Sequence, residues 1–159
     1  MCSETLAWML ELSRNQFENT LSVFSEKDSV WKPDETSLTV AQQVAHVAQA
    51  NDWFHHGITR GFDAPYDSSQ AGDFQEVSQF TSLKDATEWL DASFAKLMQL
   101  VAERGVFWED SFPAKPRFGG KPKWAALVGL VDHNGHHRGM LSMYARRIGK
   151  TNKQALPYH

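Results

Sequence analysis

Three histidines stand close together late in the chain, in the stretch VDHNGHHRGMLSMY: His133, His136 and His137. His133 and His137 are four residues apart. On a helix that spacing places their Cβ atoms about 5–6 Å apart on one face, so both rings can turn toward one ion. A neutral imidazole suits zinc, nickel, iron and copper alike. Two imidazoles do not make a site. A chain with seven histidines meets this spacing by chance often enough that a third donor is needed.

The helical angle sharpens the reading. At about 100° per residue, His133 and His137 lie roughly 60° and 20° from Leu130, inside an apolar stripe, whereas His136 lies about 120° away, near its border. The first two therefore face inward, where a buried ring nitrogen needs a partner. His46, in AQQVAHVAQANDWF, sits about 100° from Val47 on the flank of another apolar face, where a helix meets its neighbour. If the two helices adjoin, three imidazoles meet, and three neutral donors with an open fourth position suit a catalytic transition metal. The plainer alternative is that His46 is a hydrogen-bonded boundary residue and the pair a solvated face. That plainer account fits His55 and His56, close to a helix C-terminus whose dipole favours imidazolium.

Four amphipathic helices must position these groups. The first runs from about Glu4 to Phe24, with Leu6, Leu10, Ser13, Phe17, Leu21 and Phe24 forming one stripe. The second opens at Thr39, where Gln42 completes a capping box, and buries Val40, Val44, Val47, Phe54 and Ile58 until Gly57 and Gly61 mark its end. The stretch from Gly61 to Thr81 is long for a connector in a small domain. It can return along the bundle, so that the next helix starts parallel to the second. The third helix begins near Ser82, presents Leu83, Ala86, Leu90, Phe94, Leu97 and Val101, and stops by Gly105. VFWEDSFPAKPRFGGKP reads as a short irregular hairpin, and Pro122 fits the first turn of the fourth helix. Leu127, Leu130, His137, Leu141, Tyr144 and Ile148 share that helix's face, and Gly149 ends it. The expectation is an all-α four-helix bundle, one domain over residues 1–159.

The totals exclude other classes. The chain has 159 residues, 42% of them hydrophobic, with six Trp and ten Phe, enough for a real core. A formal charge of -3 and the lack of any polybasic run argue against nucleic acid as a partner. No stretch approaches the roughly 20 apolar residues of a membrane span. Cys2 is the single cysteine, which rules out an internal disulfide. With no basic segment before an apolar run, it favours the cytoplasm. No Ser-His-Asp order, phosphate loop, GxGxxG or CxxC pair competes with the histidines.

VAHVAQANDWF on the second helix and HNGHHRGMLSMYARRIG on the fourth carry a resemblance, over nearly the whole chain, to the DinB-like (DinB/YfiT) family of small metal-binding four-helix-bundle proteins. The family pattern is one His on helix two and an HxxxHRGQ run on helix four. The resemblance implies an up-down-down-up bundle with one divalent transition metal (zinc, nickel, iron or manganese) between those helices. His46, His133 and His137 would be its ligands, and His136 would not. Met140 stands where the pattern often has Gln, so any polar contact of that Gln is absent here.

The family includes metal-dependent transferases and isomerases that use low-molecular-weight thiols. The resemblance therefore implies an S-transferase that takes a small thiol and an electrophile, with a homodimer as the family's common assembly. Trp53, Met140 and Tyr144 are the residues expected to meet substrate, although Tyr144 could instead serve packing. Two alternatives stay open. One is a metal-dependent hydrolase, with Tyr144 as proton donor and Asp132 as a surface or supporting group. The other is a structural or storage metal in a non-enzymatic, stress-related protein. Trp8, Phe107, Trp108, Phe112, Phe118 and Trp124 are further candidate pocket walls, with core packing as their default role. Lys115 and Arg117 could meet an anionic cosubstrate.

Overall fold

The computed structural model describes residues 2–62, 73–103, 108–114 and 118–150. Within them lie α1 (Ser3–Leu21), α2 (Val40–Arg60), α3 (Asp73–Ser78), α4 (Leu83–Ala102) and α5 (Trp124–Arg147), with a 3-10 turn at Glu26–Asp28 and no strand among the described residues. The four expected helices are α1, α2, α4 and α5. The short α3 was not expected. At six residues it makes less than two turns, too few for a periodic apolar pattern to show.

Local chemistry sets the ends of these helices. Thr39 Oγ1 accepts from the Gln42 amide at 3.3 Å, and Gln42 Oε1 accepts from the Thr39 amide at 3.0 Å, closing the expected capping box on α2. Ser82 Oγ accepts from the Asp85 amide at 3.1 Å and caps α4. Past α5, Gly149 takes φ +73°, the Lys150 amide donates to the Ala145 carbonyl at 2.8 Å and the Gly149 amide to Arg146 at 3.1 Å, the paired bonds of a Schellman stop.

Gly61 ends α2 as expected, but two other residues expected at helix boundaries sit differently. Gly57 does not end α2, which continues to Arg60 and stops at Gly61 with φ +101°. Gly57 instead leaves room for the Phe62 ring, which occupies the space a Cβ would need. Pro122 precedes the first turn of α5 rather than sitting in it, because a bridge to Ser111 holds it in the hairpin.

The apolar stripes turn inward as their spacing requires. Leu6, Leu10, Ser13, Phe17, Leu21 and Phe24 are buried, as are Val40, Val44, Val47, Phe54 and Ile58, and all six residues of the α4 stripe. In the α5 stripe Leu127, Leu130, Leu141 and Tyr144 are buried, and Ile148 packs against the same core.

Hydrogen bonds between elements reveal the helix directions. The Ala41 amide donates to the Ser29 carbonyl at 3.0 Å and the Leu83 amide to Ser29 Oγ at 2.9 Å, so α2 and α4 begin side by side. Halfway along, Asn51 Nδ2 donates to Ser93 Oγ at 3.0 Å, so the two run the same way. Tyr144 Oη donates to the Leu38 carbonyl at 3.0 Å and Asn134 Nδ2 to Asn51 Oδ1 at 3.1 Å, which sets α5 antiparallel to α2. Arg138 meets Gln16, and Lys150 meets Asp28, so α5 follows the direction of α1. These are the directions of an up-down-down-up order. Around the bundle, α2 packs on α4 and α5, and α1 packs on the same two helices.

Between α4 and α5 the chain forms a short irregular hairpin. The Phe112 amide donates to the Lys121 carbonyl at 2.9 Å, and the Lys123 amide to Asp110 at 2.9 Å. Gly105, Phe107, Lys115, Arg117 and residues 63–72 of the long connector lie outside the described residues. No described helix is long and apolar enough to cross a membrane.

Candidate metal centre

The facing surfaces of α2 and α5 bring together the three histidines singled out by spacing. One ring nitrogen from each of His46, His133 and His137 lies within 4.8 Å of the other two. The ring centroids are 5.2 Å apart for His46–His133, 4.7 Å for His46–His137 and 4.5 Å for His133–His137. Zinc bonds to nitrogen of about 2.0–2.1 Å in tetrahedral geometry would space the donors by roughly 3.3 Å. A closure of at most about 1.5 Å, within reach of side-chain rotations, would convert the cluster into a coordination set. All three residues are half-buried, so the cluster is not sealed from solvent.

The electrostatics favour donors over cations. Burial, reinforced by the charge His46 would carry, lowers the pKa of His133 to about 4. Burial, then His133 and His46, lowers that of His137 to about 3. Both rings are neutral at pH 7, as a metal ligand must be. No carboxylate or thiolate belongs to the group among the described residues, so an ion held there would keep its full positive charge. The donor set and its spacing therefore fit a divalent transition metal.

His136 is exposed, and its ring stands perpendicular to His137 at 5.0 Å, outside the group. Asp132 is exposed beside His133, His55 is half-buried, His56 is exposed, and neither of these two histidines joins the cluster. Cys2 is exposed at the start of α1.

Behind the rings lies a layer of buried polar side chains that sequence reading missed. Gln43 Oε1 sits 2.7 Å from His137 Nδ1, and Gln43 Nε2 donates to Tyr144 Oη at 3.2 Å. Asn134 Oδ1 is 3.5 Å from His133 Nδ1, and Asn134 continues through Asn51 to Ser93, whose hydroxyl donates to the Leu90 carbonyl at 2.7 Å. A signal for them existed. Gln43 and Asn51 each lie four residues from Val47, and Asn134 four from Leu130, so each falls about 40° from a stripe residue on its helix.

The residues expected to meet substrate divide. Trp53 and Met140 are half-buried, two helical turns beyond His46 and one turn beyond His137 respectively. Tyr144 is 2% exposed and gives its hydroxyl to Leu38 and Gln43, so it lies beneath the imidazoles.

Further along the α2–α5 seam the rings of Trp53, Phe54, Phe62, Phe112 and Phe118 pack together. Centroids are 4.6 Å apart for Trp53–Phe62, 5.2 Å for Phe62–Phe118 and 5.4 Å for Phe62–Phe112. The Phe118 ring lies over Gly129, one turn before His133. Of the other candidate walls, Trp108 is buried, Trp124 Nε1 donates to Glu109 at 3.3 Å, and Trp8 is 61% exposed on α1.

An all-helical bundle in which α2 and α5 gather three imidazoles is a scaffold able to hold a divalent metal. Known proteins agree with that class: the family model described as DinB superfamily matches residues 9–141, and the chain belongs to that superfamily. It is also similar to the uncharacterized protein YjoA of Bacillus subtilis (strain 168), with 27% identity over 161 residues, covering 100% of this chain and 97% of that protein. No solved structure matches the chain.

Proposed function

We propose that His46, His133 and His137 bind one divalent transition metal and that the protein is a metal-dependent S-transferase using a low-molecular-weight thiol. The observation that carries this reading is the trio of mutually close, half-buried imidazoles, two of them, His133 and His137, held neutral by burial. A divalent ion held by three neutral donors supplies the positive charge that lowers the pKa of a thiol, so that it can act as a nucleophile near neutral pH.

The chain's own residues supply the rest. Trp53 and Met140 are half-buried on the two helices that carry the histidines, which supports a role for them in meeting the electrophile. Met140 offers a flexible apolar surface there, which suits an apolar or variable electrophile. Asp132 is exposed, and no carboxylate joins the three histidines among the described residues, which favours a thiol over a base-activated water as nucleophile.

The test is one assay of metal-loaded protein on a panel of electrophiles and esters, with and without a small thiol. Thiol-dependent turnover that a chelator abolishes and added metal restores supports the transferase. Turnover that survives removal of every thiol would replace it with a hydrolase. Metal uptake with no turnover across several thiols would favour a binding protein.

A further inference from the structure

We infer that two buried hydrogen-bond relays set the tautomers of His137 and His133, with Gln43 as the principal positioning residue. The inference deepens the proposed metal centre and rests on it. Its starting points are two backbone carbonyls, because a carbonyl can only accept.

Consider first the relay that ends at Leu38. Tyr144 has one hydroxyl hydrogen and donates it to the Leu38 carbonyl at 3.0 Å. The Tyr144 oxygen must then accept from its other neighbour, the Gln43 side chain at 3.2 Å, so the amide NH2 of Gln43 points at Tyr144. That leaves Gln43 Oε1 facing His137 Nδ1 at 2.7 Å. An amide oxygen cannot donate, so His137 Nδ1 carries the hydrogen and Nε2 carries the lone pair. The flip state of an amide is usually a matter of assignment. Here the Leu38 carbonyl decides it through three successive bonds.

The second relay has the same polarity. Ser93 donates its hydroxyl to the Leu90 carbonyl at 2.7 Å, accepts from Asn51 Nδ2 at 3.0 Å, and Asn51 Oδ1 accepts from Asn134 Nδ2 at 3.1 Å. Asn134 Oδ1 thus faces His133 Nδ1, at the longer distance of 3.5 Å. Both relays leave Nε2 as the nitrogen with the lone pair, the one available to an ion. Gln43, Tyr144, Asn51, Ser93 and Asn134 are all at most 3% exposed, so water does not substitute for a missing partner. A ligand histidine whose other nitrogen donates to a fixed acceptor is oriented and made more basic, and losing that acceptor typically costs about 10–100-fold in metal affinity.

The experiment uses the full chain. The imidazole tautomers are read by nitrogen-15 NMR on metal-free protein, and zinc affinity by competition with a chromophoric chelator, in wild type, Gln43→Leu, Gln43→Glu and Tyr144→Phe. Wild type should show His137 in the Nδ1–H form. Gln43→Leu should lose that preference and about 10–100-fold in zinc affinity. Gln43→Glu keeps an acceptor at the same place and should restore both. Tyr144→Phe frees the Gln43 amide to flip, so His137 should become a mixture of tautomers even if Gln43→Leu fails to fold. An unchanged Nδ1–H tautomer in both Gln43→Leu and Tyr144→Phe, with wild-type zinc affinity, overturns the positioning role and leaves the metal centre standing. A Gln43-dependent tautomer in a wild-type protein that takes up no zinc or other divalent ion overturns the proposed centre instead.

Discussion

The α2–α5 seam has two neighbouring regions built on different principles. Around His46, His133 and His137 the contacts are directional: each of the two α5 rings backs onto an amide oxygen, and each amide is held in turn by a partner that ends at a backbone carbonyl. One to two turns away, Trp53, Phe54, Phe62, Phe112 and Phe118 are held by ring against ring at centroid separations of 4.6 to 6.2 Å. Ring packing is stabilised by area removed from water and has only weak angular preference. A hydrogen-bond relay stabilises little on balance, but it decides which atom points where, and leaving one member unmatched costs about 1–3 kcal/mol. The aromatic region should therefore govern stability and the imidazole region chemistry. Substitutions can separate the two.

The largest effect is expected from Phe62→Ala. This buried ring touches four other aromatic residues, and its loss should destabilise the fold by about 3–5 kcal/mol in denaturant unfolding. Zinc affinity of the remaining folded protein should change little. A large loss of affinity in the folded fraction would join the two regions into one unit.

Next in size is His137→Ala, which should lower zinc affinity by about 100-fold or more, equivalent to about 2.7 kcal/mol. His136→Ala, removing an exposed ring outside the cluster, should leave it at the wild-type value. Equal metal content in the two variants, measured by elemental analysis, would contradict the ligand assignment.

Gly57→Ala tests the aromatic region from the backbone side. The new Cβ would collide with the Phe62 ring, so the substitution should cost about 1–3 kcal/mol although alanine has the higher helix propensity. The Gly57→Ala/Phe62→Ala pair should show strong coupling, with the glycine substitution nearly neutral or stabilising once the ring is gone. Additive effects would show that the close approach does not matter.

The smallest effect, near neutrality, is on pH dependence. His133 and His137 have folded-state pKa values of about 4 and 3, below the ordinary value of 6.5. Between those limits the unfolded chain binds more protons than the folded one, so stability rises with pH through this range. The contribution is complete above about pH 6.5 and is lost as pH falls through about 4 and then about 3. Thermal midpoints of metal-free protein between pH 7 and 5 should fall, and the slope should flatten in a His133→Gln/His137→Gln variant. An unchanged slope would mean that neither ring is buried as a neutral base.

What the sequence determined by itself follows from periodicity along a single helix. Leu6, Leu10, Phe17 and Leu21 are buried because their spacing puts them on one side of α1 whatever packs there, and Thr39 and Gln42 cap α2 through bonds that span three residues. The pairing of His133 with His137 is likewise set by one helix's geometry. Helix spacing could offer His46 as a third donor only on the condition that its helix adjoins the other, and the packing of α2 on α5 met that condition for partners 87 and 91 positions away in the chain. Gln43, Asn51 and Asn134 show the same limit more sharply. A polar residue at an inward angle has no apolar signature, and its burial is tolerable only when a matching group from another helix arrives: Tyr144 and His137 for Gln43, Ser93 for Asn51, Asn51 for Asn134. Complementarity of donor and acceptor across a packed interface is a property of two helices at once, and no spacing within either one contains it.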